Sequence, residues 1–172
     1  MVDVDDMQKM MDLVSLSLNK PKYAYEMQHN QPKPNVPSFA AVKFIDEENP
    51  GRDKVEVVDI DGKPFERTTG VRLLTFKVLF TEGSPMCSQF LATMRSARVL
   101  EFYSTRNFSY IKHKKLVNES KELETNWEIR DGLLLTYMTI RQYDTPIETI
   151  EAIEWEGRYN EGDMLHTFKQ LN

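Results

Sequence analysis

Cysteine is the residue type in this sequence with the clearest chemical potential. The chain holds a single one, Cys87, one turn into a predicted helix, where the helix dipole can lower the pKa of a thiol and make it a nucleophile. Cys87 also lies on the apolar stripe of that helix with Phe90 and Leu91, and free cysteine is among the most buried residue types. We expect a core residue; a small cytosolic enzyme that uses Cys87 is the alternative.

Histidines and paired carboxylates are the usual acids and bases of catalysis, but here they lie in less suitable places. The histidines stand apart from any nucleophile or carboxylate on a predicted element: His29, His113 and His166. Two carboxylate pairs fall in predicted turns, where solvated charge is ordinary: Asp59 with Asp61, and Glu47 with Glu48. Neither a glycine-rich phosphate loop nor a cysteine and histidine cluster for zinc is present. The sequence therefore predicts no catalytic residue, no cofactor and no metal.

Charge is distributed unevenly along the chain. From Arg95 to Lys115 there are six basic residues and one acidic, whereas from Asp144 to Asp163 there are seven acidic and one basic. Such a chain could bind a second copy head to tail, although the two stretches could equally be solvated faces that never meet. Candidate interface residues are two prolines and members of both stretches: Pro32, Pro34, Arg95, Arg98, Lys112, Lys114, Lys115, Glu148, Glu151, Glu154 and Glu156.

The bulk composition is that of a soluble globular domain. The 172 residues are 40% hydrophobic and carry a net charge of −5, which disfavours bulk attraction to nucleic acid or an anionic membrane. The run "KHKK" is a weaker candidate for nucleic-acid binding, because few stacking aromatics accompany it. The acidic N-terminus is unlike a signal peptide, and no apolar run approaches the roughly 20 residues of a membrane span. We expect a chain made or assembled in a cytosol.

The elements that would position these residues begin with a helix from Asp3 to about Leu18, which has apolar residues at helical spacing. Residues 19–38 follow with no helix or strand period, and they include three closely spaced prolines, Pro32, Pro34 and Pro37. Each proline fixes φ and removes a backbone donor, so the segment should be extended and lie at an edge or on the surface. A stiff segment also loses little entropy on docking, which would suit contact with a neighbouring subunit.

Alternating or continuous apolar patterns predict strands at 39–45, 54–60, 65–80 and 133–143, and in a segment that ends near Gly157. An extended segment with Trp127 and Ile129 is expected just before the strand at 133–143. Asp61 and Gly62 predict a hairpin turn. The strand at 65–80 is apolar on nearly both faces, so it should be central in its sheet or covered by a partner. In the run 83–100, Ser84 as N-cap and Pro85 at the first helical position predict one second helix. The order indicates an α+β fold, a mostly antiparallel sheet with two main helices packed on one face.

Several phrases of the sequence resemble the neck and tail-terminator proteins that join tail to head in tailed bacteriophages. They are "NQPKPNVPSFAAVKF", "RTTGVRLLTFKVLFTEGSPMCSQFLATMRS", "NWEIRDGLLLTYMTIRQY" and "IETIEAIEWEG". We expect a single domain over 1–157, with an N-terminal helix at 1–20 and a family-like core at 30–157. The resemblance covers this core but neither the helix nor 158–172, which we expect to be a tail or arm. It carries over structural roles for matching positions: Asn30, Pro32, Pro34, Arg67, Gly83, Trp127, Glu128 and Arg130.

The function that this resemblance implies is structural and non-enzymatic. A family member forms a ring, expected to be a hexamer, that caps the tail tube and joins it to the head. The implied partners are further copies of the chain, the tail-tube protein and the head-completion or neck proteins, with genomic DNA passing through the lumen without specific binding and with no membrane. The implied location is the virion, at the top of the tail, after assembly in the host cytoplasm. A head-completion (stopper or adaptor) protein or a tail-tube-like subunit is the alternative within the same connector.

Overall fold

The computed structural model describes residues 4–27, 34–116, 131–147, 152–158 and 164–171, and in the last two ranges the backbone alone. The helices are α1 (Val4–Leu18), α2 (Ser84–Thr93) and α3 (Ala97–Arg106). The strands are β1 (Ala24–Glu26), β2 (Ala40–Glu48), β3 (Lys54–Ile60), β4 (Lys63–Phe80), β5 (Ser109–Leu116), β6 (Asp131–Pro146), β7 (Ala152–Arg158) and β8 (Met164–Leu171). The chain forms two compact units: unit 1 is Met1–Lys54 with Thr69–Gln142, and unit 2 is Val55–Thr68 with Tyr143–Asn172.

The main sheet has six strands in the order β1-β2-β4-β6-β5, with β3 also paired to β4. β1 runs parallel to β2, whereas β2 with β4 and β5 with β6 are antiparallel. β4 and β6 are antiparallel as well, because the residue number on β6 rises as its hydrogen-bonded partner's number on β4 falls. The pairs are Thr75 with Thr136, Arg67 with Asp144, and Pro64 with Ile147, which follows β6. The predicted α+β fold with a mostly antiparallel sheet is confirmed, as is the central place of β4.

In unit 1, the three helices pack on one face of the sheet. Alternate residues of β4 from Leu74 to Phe80 are fully buried there, together with Met10 of α1 and Phe90 of α2. The apolar stripe of α1 forms because residues three and four apart share a helix face. A smaller cluster around Phe39 and Leu79 is separate from this main core. None of the helices in the described ranges combines the length and apolarity that a transmembrane span requires.

The predicted second helix is two helices. α2 ends at Thr93, and α3 begins at Ala97 after Ser96, whose extended backbone (φ −67°, ψ 151°) serves as the N-cap. The break lets each short helix turn its own apolar face inward, through Phe90 on α2 and Val99 on α3. The apolar pattern continues across this point because both helices bury a face, so it does not mark the change in direction.

The N-cap of α2 also differs from the prediction. It is Gly83, and Ser84 occupies the first helical position with Pro85 after it. Gly83 has a φ of 72°, which residues with a Cβ rarely adopt. The backbone therefore requires glycine at the position before the helix, one residue earlier than serine propensity indicated.

In unit 2, β3 and β4 form the predicted hairpin. Asp61 and Gly62 both have positive φ, 55° and 77°, the signature of a type I′ turn, and the Gly62 N–H donates to Asp59 Oδ1 at 2.8 Å. Arg67 of β4 makes two hydrogen bonds to the Asp144 carboxylate, at 2.8 and 2.9 Å. This pair ties the hairpin to the end of β6.

Strands β7 and β8 of unit 2 form a separate antiparallel pair, with Ala152 opposite Leu171 and Arg158 opposite Met164. The strand predicted to end near Gly157 is confirmed as β7. The described part of the segment 158–172 contains strand β8, and its role as an arm stays a prediction. The predicted extended segment with Trp127 and Ile129 lies outside the described residues.

Candidate assembly surfaces

Cys87, the candidate nucleophile, lies in the core of unit 1. It is 1% exposed, and it belongs to the same buried cluster as Phe90. Burial raises the pKa of its thiol to about 11, and the negative charge of Asp131 adds to the shift. The interpretation of Cys87 as a core residue is confirmed, and the thiol on which the enzyme alternative depended is neutral and inaccessible.

The other candidate acids and bases have structural partners. Asp59 caps the hairpin turn, and the exposed His113 shares a hydrogen bond between its Nδ1 and the Tyr110 hydroxyl. Glu47 and Glu48 do not lie in a turn: they end strand β2, because pairing with β4 resumes after a bulge that follows Phe44. Within the described ranges, no three His, Cys, Asp or Glu side chains are grouped to hold a metal ion. His29 and the side chain of His166 lie outside the described residues.

An ion-pair network that sequence reasoning missed joins α1 to three strands of unit 1. Arg141 Nη2 is 2.6 Å from Asp6 Oδ2 and 3.4 Å from Glu47 Oε2. Arg72 Nε is 3.7 Å from Glu47 Oε1, and the Arg72 guanidinium donates two hydrogen bonds to Asp53, at 2.7 and 2.8 Å. Asp6 is 1% exposed, so its carboxylate depends on these partners. We call these five residues the ion-pair network.

The electrostatics of the network follow from its hydrogen bonds. Donation from Arg72 lowers the pKa of the Asp53 carboxyl. Partial burial lowers the pKa of the Arg141 guanidinium, but the hydrogen bond to Glu47 and the negative charge of Asp6 outweigh it, so the pKa is raised. The sequence does hold a sign of this network, a charged residue on an apolar strand face. Arg72 stands two positions before Leu74 in β4 and so shares its face.

The predicted basic residues Lys112, Lys114 and Lys115 lie together on β5, the end strand of the main sheet. With His113 they form four consecutive exposed residues, which we call the basic edge. Lys112 and Lys114 stand opposite Thr136 and Leu134 of β6. Lys115 Nζ donates to Ser84 Oγ at 2.9 Å.

The two predicted arginines have different environments. Arg95 is exposed between α2 and α3, and its charge acts on Tyr110 at the start of β5, where burial raises the pKa of the phenol and Arg95 opposes the shift. Arg98 instead donates to the Ser17 carbonyl at 2.7 Å and to Asn19 Oδ1 at 3.3 Å. It thus caps the C-terminal end of α1, where cations are favourable. Arg98 therefore has a structural role within the subunit, whereas the sequence predicted a role at an interface.

The proline segment lies near the opposite edge of the sheet from β5. β1 is the other end strand, and Val36 packs against the small cluster around Phe39. The Val36 N–H donates to the Pro34 carbonyl at 2.8 Å, and Pro34 is half-buried. The expected edge position is confirmed for β1, whereas residues 35–38 form bends instead of the expected extended backbone. Pro32 and Asn30 lie outside the described residues.

The predicted acidic residues fall in or next to β7. The register places Glu154 opposite Lys169 and Glu156 opposite Thr167 in β8. The side chains of these two glutamates are not described, and Glu148 and Glu151 lie outside the described residues, as do Trp127, Glu128 and Arg130. Of the other positions that the resemblance carried over, Arg67 pairs with Asp144 and Gly83 caps α2.

Comparison with known proteins agrees with a structural rather than a catalytic class. The family described as phage neck terminator protein matches residues 4–163. A comparison with curated proteins gave no match. The chain belongs to the phage neck terminator family. The resemblance found in the sequence is thereby confirmed, and it assigns the protein a structural role in the virion, at the junction of tail and head.

Proposed function

We propose that this neck terminator closes a ring on the end of the tail tube and thereby joins the tail to the head. The observation that carries the proposal, beside family membership, is the basic edge of β5: four exposed residues on an end strand, in a chain that also holds an acidic stretch. A heterologous contact between such surfaces generates a ring when the rotation between copies closes. We expect a hexamer.

The ring would meet the tail-tube protein on one side and head-completion or neck proteins on the other. Genomic DNA would pass through the lumen without specific binding, because each phosphate that a protein neutralises adds affinity that would slow its passage. The net charge of −5 suits such a lumen. Assembly would take place in the host cytoplasm.

Mass photometry of the purified protein, alone and with the tail-tube protein over a range of salt, tests ring formation. A discrete ring-sized species, formed alone or only with the tube protein, supports the proposal and tells whether the tube templates assembly. Monomer under every condition contradicts it. Immunogold labelling along the virion separates the terminator from its alternatives, since a stopper lies on the head side and a tube-like subunit repeats along the tail.

The proline segment gives a second test. Replacement of Pro32 and Pro34 by alanine gives the free segment more conformations, so it loses more conformational entropy on docking. We expect rings that dissociate at lower salt or lower protein concentration than the wild type. Rings of unchanged stability would contradict a docking role for the segment.

A further inference from the structure

We propose that the basic edge of β5 receives the acidic strand β7 of a second copy. The inference rests on the proposed ring and names the two surfaces that meet in it. In unit 1, β5 pairs with β6 and with no other described strand. An end strand presents backbone donors and acceptors that another strand can use.

The geometry of β5 leaves this edge open along most of its length. Ile111 forms a bulge between Tyr110 and Lys112, and it is 46% exposed. Residues 112–115 after the bulge are all exposed, while their pairing partners in β6 from Leu133 to Thr136 are mostly buried. The strand is therefore held from one side and accessible from the other.

Among the described residues, the charges of Lys112 and Lys114 have no ion-pair partner, unlike much of the charge elsewhere in unit 1. Lys9, Lys20, Arg72 and Arg141 each form an ion pair with a carboxylate. By contrast, the ammonium groups of Lys112 and Lys114 are in no ion pair with the described residues, and Lys115 contacts a neutral hydroxyl. β5 itself contains no acidic residue. The acidic partner that we propose for this edge is a strand of a second copy.

Strand β7 has the matching sequence. Glu154 and Glu156 are two positions apart and share one face of the strand, as do Lys112 and Lys114 on β5. Adjacent strands with these spacings can place both glutamates opposite both lysines. In the described part of the chain, β7 pairs with β8 and with no other strand, so one of its two edges is unpaired there.

Lysines on an end strand can also serve only to prevent unwanted pairing. The two roles respond differently to charge reversal. A glutamate prevents pairing as well as a lysine does, so Lys112→Glu with Lys114→Glu would leave a protective edge unchanged. The same substitutions would repel an acidic strand.

The test compares rings of four proteins by mass photometry, with tail-tube protein present if the wild type needs it. The Lys112→Glu/Lys114→Glu and Glu154→Lys/Glu156→Lys variants should each lose at least tenfold of the ring-sized species. A mixture of the two should restore it, because each contact in an alternating ring again joins opposite charges, and a hexamer accommodates alternation. Lys22→Glu/Lys43→Glu, which reverses two exposed lysines outside β5, should form rings like the wild type.

The outcomes separate this inference from the proposed function. Wild-type rings together with unimpaired rings of the β5 variant overturn the inference and leave the ring intact. Loss of rings in the β5 variant without rescue by mixing also overturns it, and assigns the edge to the tail-tube protein or to DNA. Absence of rings in the wild type overturns both proposals. Thermal melting of each variant, expected within a few degrees of the wild type, excludes unfolding as the cause; a variant that unfolds is replaced by its single substitutions.

Discussion

The ion-pair network and the basic edge lie in the same unit and use charge in opposite ways. In the network, the carboxylate of Asp6 is 1% exposed and Arg141 Nη2 is 2.6 Å from it. At the edge, Lys112 and Lys114 are exposed and extend from an end strand. Burial makes the first set of charges depend on one another, whereas exposure lets the second set change partners at little cost.

Charge density along the sequence therefore does not identify an assembly surface. Arg98 belongs to the same basic stretch as Lys112, yet its guanidinium caps α1 within the subunit. A basic residue is available to a partner only where the fold leaves it exposed and without an internal acceptor. Variants in the two regions should therefore affect different properties, stability in the network and assembly at the edge.

The largest effect on stability should come from Arg141→Met. Among the described residues, it leaves the buried carboxylate of Asp6 with Lys9 as its one ion-pair partner, at 3.5 Å. Breaking one side of a buried ion pair costs about 3 kcal/mol in the free energy of unfolding. Urea denaturation measures the loss. The double variant with Asp6→Asn should recover part of it, since no buried charge is then left alone. A single variant as stable as the wild type would remove the distinction between the two regions.

A smaller loss is expected from Gly70→Ala, at the other end of the network. The added Cβ would overlap Asp53 Oδ1 and stand 2.6 Å from Arg72 Nη1, so the bidentate pair must shift. We expect a loss of about 1 kcal/mol in the free energy of unfolding, because flexible side chains can move aside. Gly51→Ala is the matched control, since a Cβ there meets nothing within 4 Å. Equal stability of the two variants would show that the pair tolerates displacement freely.

The pH dependence of the free energy of unfolding tests the hydrogen bond between Arg72 and Asp53. Its pKa in the folded protein lies below the ordinary value of 3.8 because Arg72 donates to it, so the folded state favours the charged form. The resulting stabilisation is complete above pH 3.8 and is lost as pH falls through the lower, folded pKa. The wild type should lose more stability than Asp53→Asn when chemical denaturation is repeated in this acidic range. Parallel curves for the two proteins would contradict the assignment.

The smallest effect on stability should come from the basic edge. Lys112→Gln with Lys114→Gln should change the free energy of unfolding by less than about 0.5 kcal/mol, because both side chains are exposed and outside any ion pair with the described residues. Thermal melting of this double variant and of Arg141→Met under the same conditions compares their losses of stability directly. A large loss of stability would mean that the edge supports the fold.

Much of the fold was predictable because local patterns specify it. The apolar period of α1, the central strand β4 and the Asp61–Gly62 hairpin each depend on residues close together in the chain. The burial of Cys87 followed from its neighbours on the helix. The break between α2 and α3 was not predictable in this way, because the apolar pattern runs through it and only packing requires the turn at Ser96.

The candidate surfaces show the same division. By itself, the sequence determined that a basic and an acidic stretch exist, that prolines interrupt the chain before β2, and that the phrases of a phage neck terminator are present. Only the tertiary structure decided which charges are available. It joined Asp6 to Arg141 across 135 positions, directed Arg98 to α1, and left Lys112 and Lys114 on an end strand. The physical reason is that local periodicity depends on neighbouring residues, whereas the partner of a charge depends on strand register and helix packing between distant ones.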